Sequence, residues 1–173
     1  EPVYAFECAY DYRDEAGTLL FQSVRERLTN AYECPNAKPK RFKQRKQDAR
    51  GEWVWNIEGV RRVLYRLPEL LASNSDATIF ICEGEKDVDR LREGGLVATT
   101  NPGGAKKWRE EFNSYFQGRE VIILPDNDES GRMHAEKVAQ SLAEEASSIR
   151  VLPLPGLADG GDISDWLEAG NDA

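Results

Sequence analysis

Two kinds of apolar pattern divide the chain. From residue 77 onward, short apolar runs bounded by polar sequence alternate with segments whose apolar residues recur at helical spacing. This alternation predicts an α/β fold with a mainly parallel sheet and helices on both faces. The predicted strands are Thr78–Cys82, Val97–Thr99, Val121–Leu124 and Ser148–Leu154, and the predicted helices are Lys86–Glu93, Lys106–Tyr115, Glu129–Ala146 and Ile163–Glu168.

The earlier part of the chain has more strand-like patterns. Its first two strands are separated by a five-residue turn that ends in Gly17, which predicts a hairpin. Gly59–Ser73 has helical spacing and predicts a helix that is broken or restarted at Pro68. The predicted strands are Val3–Tyr12, Thr18–Arg27, Arg41–Arg45 and Glu52–Ile57.

A polar run, Ala72–Asp76, separates the two patterns. It predicts a strand-rich N-terminal subdomain over residues 1–76 and an α/β domain over residues 77–173. A chain of 173 residues is long enough to bury one core of this kind beside a smaller one. The chain begins with Glu1 instead of Met, which we interpret as a piece of a longer protein.

The charge distribution points to a polyanion. The chain has a net charge of −8, but Lys38–Arg66 contains ten basic and three acidic residues, a local charge of +7 that leaves −15 for the rest. A basic segment beside an acidic one is typical of a polyanion-binding face next to a metal-binding face. The basic residues predicted to bind nucleic acid are Lys40, Arg41, Lys43, Arg45, Lys46, Arg61 and Arg62. A solvated edge strand guarded by lysines is the alternative interpretation.

Residue counts exclude several other classes. One histidine, His134, cannot form a multi-histidine metal site, and three widely spaced cysteines form neither a disulfide framework nor a zinc module. We interpret His134 and Cys82 as structural. The cysteine usage predicts a reducing cytoplasm. No apolar stretch approaches the length of a membrane span, so no membrane partner is expected.

Acidic residues follow two of the predicted buried strands. Glu83 ends the first, with Asp87 about one helical turn later, and Asp126 and Asp128 follow the third. Open α/β sheets place their chemistry at the carboxyl ends of strands, and hard carboxylate oxygens suit Mg²⁺ or Mn²⁺. Pro125 and Gly131 are expected to bracket a turn that splays the aspartates. Alternatively, Asp126 and Asp128 cap the following helix.

Three motifs together resemble the TOPRIM domain of bacterial-type DNA primases, type IA and II topoisomerases and several nucleases. They are Glu83-Gly84-Glu85-Lys86-Asp87, Asp126-Asn127-Asp128-Glu129-Ser130-Gly131 and Gly161-Asp162-Ile163-Ser164-Asp165-Trp166. The resemblance implies a Rossmann-like TOPRIM fold from about residue 77 to residue 169. It also implies that Glu83, Asp126 and Asp128 are catalytic and bind Mg²⁺ or Mn²⁺, and that Asp87 and Asp162 belong to the same metal site.

The basic segment before this region is similar to the polymerase-domain layout of phage and plasmid primases, which are often fused to a helicase. This resemblance implies a primase core that makes RNA primers by Mg²⁺-dependent nucleotidyl transfer, with single-stranded DNA, NTPs and a replicative helicase as partners. A TOPRIM nuclease and a non-catalytic DNA-binding module remain alternatives. Neither a Walker A sequence nor a Cys/His zinc module is present in the chain.

Two lysines and two tryptophans have less specific predictions. Lys86 is expected to contact nucleotide phosphate, as is Lys106 after the Asn101–Gly104 turn, whose N–H groups could also face a phosphate. A solvated helix lysine and an ordinary turn are the alternatives. Trp53 and Trp55 alternate onto one face of a predicted strand, and we expect them to lie in the core in preference to stacking on bases.

Overall fold

The computed structural model describes residues 1–171 and divides into two compact units. The first unit is Glu1–Arg62, and the second begins at Val63. The boundary predicted after Asp76 lies later in the chain, inside the second unit.

The first unit contains a four-stranded antiparallel sheet in the order β1-β2-β3-β4. Its hairpin is confirmed, because β1 and β2 pair in antiparallel register across a turn that ends at Gly17, where φ is +84°. The Asp14 side chain supports this turn by accepting the N–H groups of Ala16 and Thr18 at 3.0 and 2.8 Å. The strands are β1 (Tyr4–Arg13), β2 (Leu19–Leu28), β3 (Lys40–Gln47) and β4 (Trp53–Val54).

The prediction of a strand over Glu52–Ile57 was too long. Only Trp53 and Val54 pair with β3, and the chain then turns at Asn56, whose side chain accepts the N–H of Glu58 at 3.2 Å. The prediction that Trp53 and Trp55 lie in the core was wrong: Trp53 is half-buried, and Trp55 is 48% exposed.

The second unit confirms the α/β prediction. Its four described strands are parallel, in the order β6-β5-β7-β8, and helices flank the sheet, with α2 packing on α4 and α3 on a 3-10 helix. The strands are β5 (Ile79–Ile81), β6 (Val97–Thr99), β7 (Glu120–Ile123) and β8 (Ser148–Val151). The helices are α1 (Leu67–Leu71), α2 (Glu85–Glu93), the 3-10 helix (Glu110–Phe116), α3 (Glu129–Leu142) and α4 (Ile163–Glu168).

The core of the second unit lies between this sheet and its helices. The two central strands, β5 and β7, are short and mostly apolar, and their side chains are buried apart from the half-buried Phe80 and the exposed Glu120 at the start of β7, as expected for the centre of a parallel sheet. Helix α2 buries Val88 and Leu91, and α3 buries Val138 and Leu142. These apolar stripes hold the carboxyl ends of the strands, and the residues that follow them, in fixed positions.

The prediction of a helix over Gly59–Ser73 was largely wrong. The helical part is only Leu67–Leu71, because the segment before it runs beside β6: the Tyr65 N–H bonds the carbonyl of Thr100, and the Thr99 hydroxyl donates to the carbonyl of Tyr65 at 2.7 Å. Pro68 lies in the first turn, where its missing N–H has no helical partner to lose, so of the two predicted alternatives the restart at Pro68 is confirmed and the break is wrong.

The helix predicted over Lys106–Tyr115 is instead a 3-10 helix over Glu110–Phe116. Gly103, Gly104 and Lys106 all have φ between +67° and +86°, a conformation that excludes a right-handed helix at these positions. The Ser148–Leu154 strand ends earlier, at Val151, and the Glu129–Ala146 helix ends earlier, at Leu142.

Candidate active site

The acidic residues lie at the point where the strand order of the sheet reverses. From β5 the chain crosses to β6 on one side, and β7 pairs on the other side of β5. The carboxyl ends of β5 and β7 therefore flank the crevice in which open α/β sheets bind ligands. Glu83 follows β5 and Asp126 follows β7, as the sequence pattern indicated.

Asn127 fixes the loop that follows β8 against the end of β7. Its side-chain amide donates to the carbonyls of Leu157 and Ala158 at 2.9 and 3.0 Å. Its backbone N–H bonds the carbonyl of Gly161, and its carbonyl accepts the N–H of Gly160. These four hydrogen bonds hold the start of the third motif against the second, so that the negative charge of Asp162 acts on Asp126.

Asp162 begins helix α4 as its N-terminal cap. Its side chain accepts the N–H of Asp165 at 2.8 Å, and the Asp165 side chain accepts the N–H of Asp162 at 3.1 Å, which completes a capping box. Asp162 is thus held in place by its own helix.

Helix α4 also holds the acid that follows Glu83. The Ser164 hydroxyl donates to Asp87 Oδ1 at 2.6 Å, and both side chains are buried. Asp87 therefore faces the start of α4, at the junction of α2 and α4. This contact links residues 77 positions apart.

Asp128 caps the helix after β7, as one of the two interpretations expected. Its side chain accepts the N–H of Gly131 at 2.7 Å. Gly131 does not bracket a turn as predicted; it lies in the first turn of α3, pressed against Asp126. A Cβ atom at this position would lie 2.5 Å from the Asp126 carbonyl oxygen and 2.9 Å from its nitrogen. Only glycine permits this approach.

The electrostatics show that these carboxylates influence one another. Burial raises the pKa of Asp126 to about 8, helped by the negative charges of Glu83, Asp87, Asp162 and Asp128. Burial also raises the pKa of Asp87 to about 6, against the hydrogen bond from Ser164 that favours its charged form. The pKa of the buried Cys82 thiol lies well above its ordinary value for the same reasons, burial first and then the nearby aspartates.

The donor set fits a hard divalent cation. Mg²⁺ and Mn²⁺ bind oxygen ligands, and a cation would stabilise the charged form of Asp126, whose pKa is raised first by burial and then by the neighbouring carboxylates. Within residues 1–171, however, no three His, Cys, Asp or Glu side chains lie close enough together to form a ready-made metal site.

The two lysines predicted to contact phosphate are both exposed. Lys86 lies in the first turn of α2, where its positive charge acts to lower the pKa of Asp87. Lys106 has a φ of +67°, and its N–H bonds His134 Nδ1 at 3.2 Å. Burial lowers the pKa of His134, which favours the neutral ring that accepts this bond.

The roles of Asn127, Ser164 and Gly131 were not predicted from the sequence. All three lie inside the quoted motifs, close to the acids. An Asn between two aspartates and a Ser before Asp165 both carry short polar side chains that hold loops and helix starts. These short polar side chains were the sequence signal for the roles of Asn127 and Ser164.

The predicted nucleic-acid-binding strand belongs to the first unit. Along β3, Arg41, Lys43 and Arg45 share one face because side chains alternate in a strand. Arg41 pairs with Glu26 at 2.6 Å, and Lys43 lies 3.9 Å from the same carboxylate. Lys40 is exposed at the start of the strand.

The other basic residues of the first unit have partners of their own. Lys46 donates to the carbonyl of Glu58, and Arg61 pairs with Glu15. Arg62 donates to the carbonyls of Ile57 and Val60, so these side chains also support local structure. Their role in nucleic-acid binding stays a prediction.

The fold is that of primase catalytic cores. The primase fragment of the bacteriophage T7 primase-helicase protein is 23% identical, with a TM-score of 0.57 over 95% of this chain and 59% of that chain. The DnaG primase catalytic domain bound to single-stranded DNA is 20% identical, with a TM-score of 0.64 over 95% of this chain and 49% of that one. The chain thus spans about half to three fifths of these structures.

A relative in sequence is the gene 57 protein of Mycobacterium phage D29. The two are 32% identical over 119 residues, which cover 68% of this chain and 72% of the phage protein. The chain belongs to the family of this phage protein. No protein-family model matches it.

Among the described residues, no helix is long and apolar enough to cross a membrane.

We expect Gly131→Ala to destabilise the protein by about 1–3 kcal/mol, because the new Cβ overlaps the Asp126 backbone and forces it to move. Urea unfolding measures the change in the free energy of unfolding. Gly94→Ala is the control, since Gly94 has a φ of −79° and its nearest obstacle is 3.2 Å away. Equal losses in both variants would contradict a special approach at Gly131.

We expect the stability of the metal-free protein to fall between about pH 4 and pH 8. Because the pKa of Asp126 is raised in the folded state, protonation of this carboxyl stabilises the folded protein. The stabilisation is complete below the pKa of the unfolded chain and is lost as the pH rises past about 8. Asp126→Asn should reduce this fall, measured as melting temperature against pH in chelator. Asp159→Asn, at an exposed loop residue, should keep it. An unchanged profile in Asp126→Asn would contradict the assignment.

Proposed function

We propose that this chain is the catalytic core of a DNA primase of the TOPRIM type, of phage or mobile-element origin, that makes RNA primers on single-stranded DNA. The observation that carries the proposal is the position of Glu83 and Asp126, which follow two adjacent parallel strands at the switch point of a primase-type fold. The sequence relative from a phage and the T7 neighbour support the phage setting.

The reaction would be nucleotidyl transfer. The 3′-hydroxyl oxygen of one nucleotide attacks the α-phosphorus of an incoming NTP, the bond to pyrophosphate breaks, and the hydroxyl proton leaves to solvent. Negative charge accumulates on the phosphoryl oxygens during this displacement. Positioning and charge stabilisation are therefore the main contributions that the protein can make.

The carboxylates would supply the metal site for this step. Glu83, Asp126 and Asp128 would hold one ion, with Asp87 and Asp162 nearer a second. A bound divalent ion neutralises phosphate charge and lowers the pKa of the attacking hydroxyl. Ser164 would keep Asp87 oriented, and Asn127 would hold the Asp162 loop in place.

Lysines and arginines would bind the substrates. Lys86 and Lys106, both exposed, would contact the triphosphate of the NTP. The basic residues of β3 would hold the template phosphates, helped by Arg61 and Arg62. Since the T7 neighbour is a fragment of a primase-helicase, we propose a replicative helicase, fused or separate, as the partner of this chain.

We expect single-stranded DNA, NTPs and Mg²⁺ to yield short RNA products, resolved on a denaturing gel. Asp126→Asn with Asp128→Asn should lower this yield by at least a hundredfold, because the ion that stabilises the transferred charge is lost. Shortened DNA in place of RNA would establish a nuclease instead. Neither product from folded protein would favour a non-catalytic DNA-binding module.

Metal binding has a readout that is independent of activity. Mn²⁺ titrated into the protein and followed by electron paramagnetic resonance should bind, and the double variant should bind much less. Asp159→Asn is the control, because it removes one exposed acid from a loop and leaves the cluster intact. Equal Mn²⁺ binding by the double variant would remove Asp126 and Asp128 from the metal site.

We expect the triple change of Arg41, Lys43 and Arg45 to Ala to flatten the plot of log affinity against log salt by about two units. Each phosphate contact with single-stranded DNA contributes a slope of about −0.7. The measurement is DNA affinity across salt concentrations, with circular dichroism to check folding, since Arg41 and Lys43 also neutralise the buried Glu26.

The control for this experiment removes the same charge elsewhere. Arg90, Arg109 and Arg150 are exposed residues of the second unit, and their joint replacement by Ala should leave most of the slope in place. An unaltered slope in the β3 variant would mean that the cations of β3 are solvated side chains that do not contact the DNA.

A further inference from the structure

One face of β3 carries cations that lie over aromatic rings. The Arg41 guanidinium lies 4.2 Å from the centroid of the Tyr4 ring, and Arg45 lies 4.2 Å from that of Trp53. Lys43 Nζ lies 3.8 Å from the centroid of the Trp55 ring, and Arg45 lies 5.4 Å from the same ring. Trp55 is thus flanked by two positive charges on one sheet face.

Trp55 differs from an ordinary strand tryptophan in its exposure. It lies just beyond the end of β4 and leaves 48% of its surface open to solvent, although it touches Lys43. Covering the apolar surface of an indole is favourable. The exposed surface of Trp55 can therefore accept another flat ring. The lysine and arginine hold the indole in position through cation–π attraction.

We propose that Trp55 stacks an unpaired base of single-stranded DNA, while Lys43 and Arg45 contact the adjoining phosphates. The inference rests on the proposed template binding and adds to it the residue that contacts the base. An aromatic ring beside cations suits this ligand because every base has a π-face and every linkage carries a negative charge. A base within a duplex is covered by its neighbours, so the site selects single strands.

The charge of the surroundings favours this occupant over a protein. Lys38–Arg66 carries a net charge of +7, while the whole chain has −8, so the open indole lies inside the most cationic segment. Glu26, a buried carboxylate that faces these cations, is paired with Arg41. An added polyanion therefore meets positive charge around the ring.

The test compares two oligonucleotides and two aromatic variants. Fluorescence anisotropy measures binding of a labelled twelve-residue oligothymidylate and of the same strand with abasic residues in place of most bases. Trp55→Ala should weaken binding of the first about 5- to 150-fold, the range expected for one stacked base. It should leave the abasic strand and the salt slope unchanged, because no charge is removed.

Phe42→Ala is the matched control. Phe42 is also 48% exposed and lies on β3, but alternation places it on the face opposite Lys43. This variant should bind both strands as the unmodified protein does. Trp55→Phe, which keeps a flat ring, should restore most of the lost affinity for oligothymidylate.

Two results would overturn the inference. One is equal binding of the normal and abasic strands by the unmodified protein. This result does not depend on whether any variant folds. The other is an equal loss for Trp55→Ala and Phe42→Ala. Either result can occur while the protein still makes primers, and stacking can be observed in a protein that makes none. The inference and the proposed function therefore fail separately.

Discussion

The second unit depends on holding together carboxylates that repel one another. Asp126 is surrounded by the negative charges of four other acids, and its pKa of about 8 records both that repulsion and its removal from water. Two parallel strands bring the first acids to the same edge, since Ile81 of β5 and Ile123 of β7 are paired in register. The free energy gained by burying the apolar strands therefore has to exceed the repulsion between the carboxylates that follow them.

The local structure offsets part of this repulsion with hydrogen bonds to the same acids. Asp128 and Asp162 each begin a helix and accept an N–H there, so the partial positive charge of a helix start lies beside a carboxylate. Ser164 donates to Asp87 in the same way. Helix capping and metal binding are thus compatible interpretations, since a carboxylate that accepts one bond still has a second oxygen. Asp87, Asp128 and Asp162 are each held by a hydrogen bond of their own.

The first unit balances opposite charges instead of like ones. Its cations are ordered by aromatic rings and by the buried Glu26, so they face one side of β3 as a fixed row. Ordered cations lose less conformational entropy when they meet a phosphate backbone than mobile ones do.

The sequence alone determined the strand–helix alternation, the hairpin and the acids at the strand ends. These features depend on neighbouring residues, on periodicity and on where an apolar run stops. The tertiary structure decided what depends on partners far along the chain. Tyr65 is drawn to Thr99 and Thr100, which prevents the helix that its spacing predicts, and Ser164 finds Asp87 77 residues away. Trp55 has the alternating pattern of a buried strand residue, yet it lies past the end of β4 with 48% of its surface exposed and with Lys43 over its ring, a contact that no local pattern encodes.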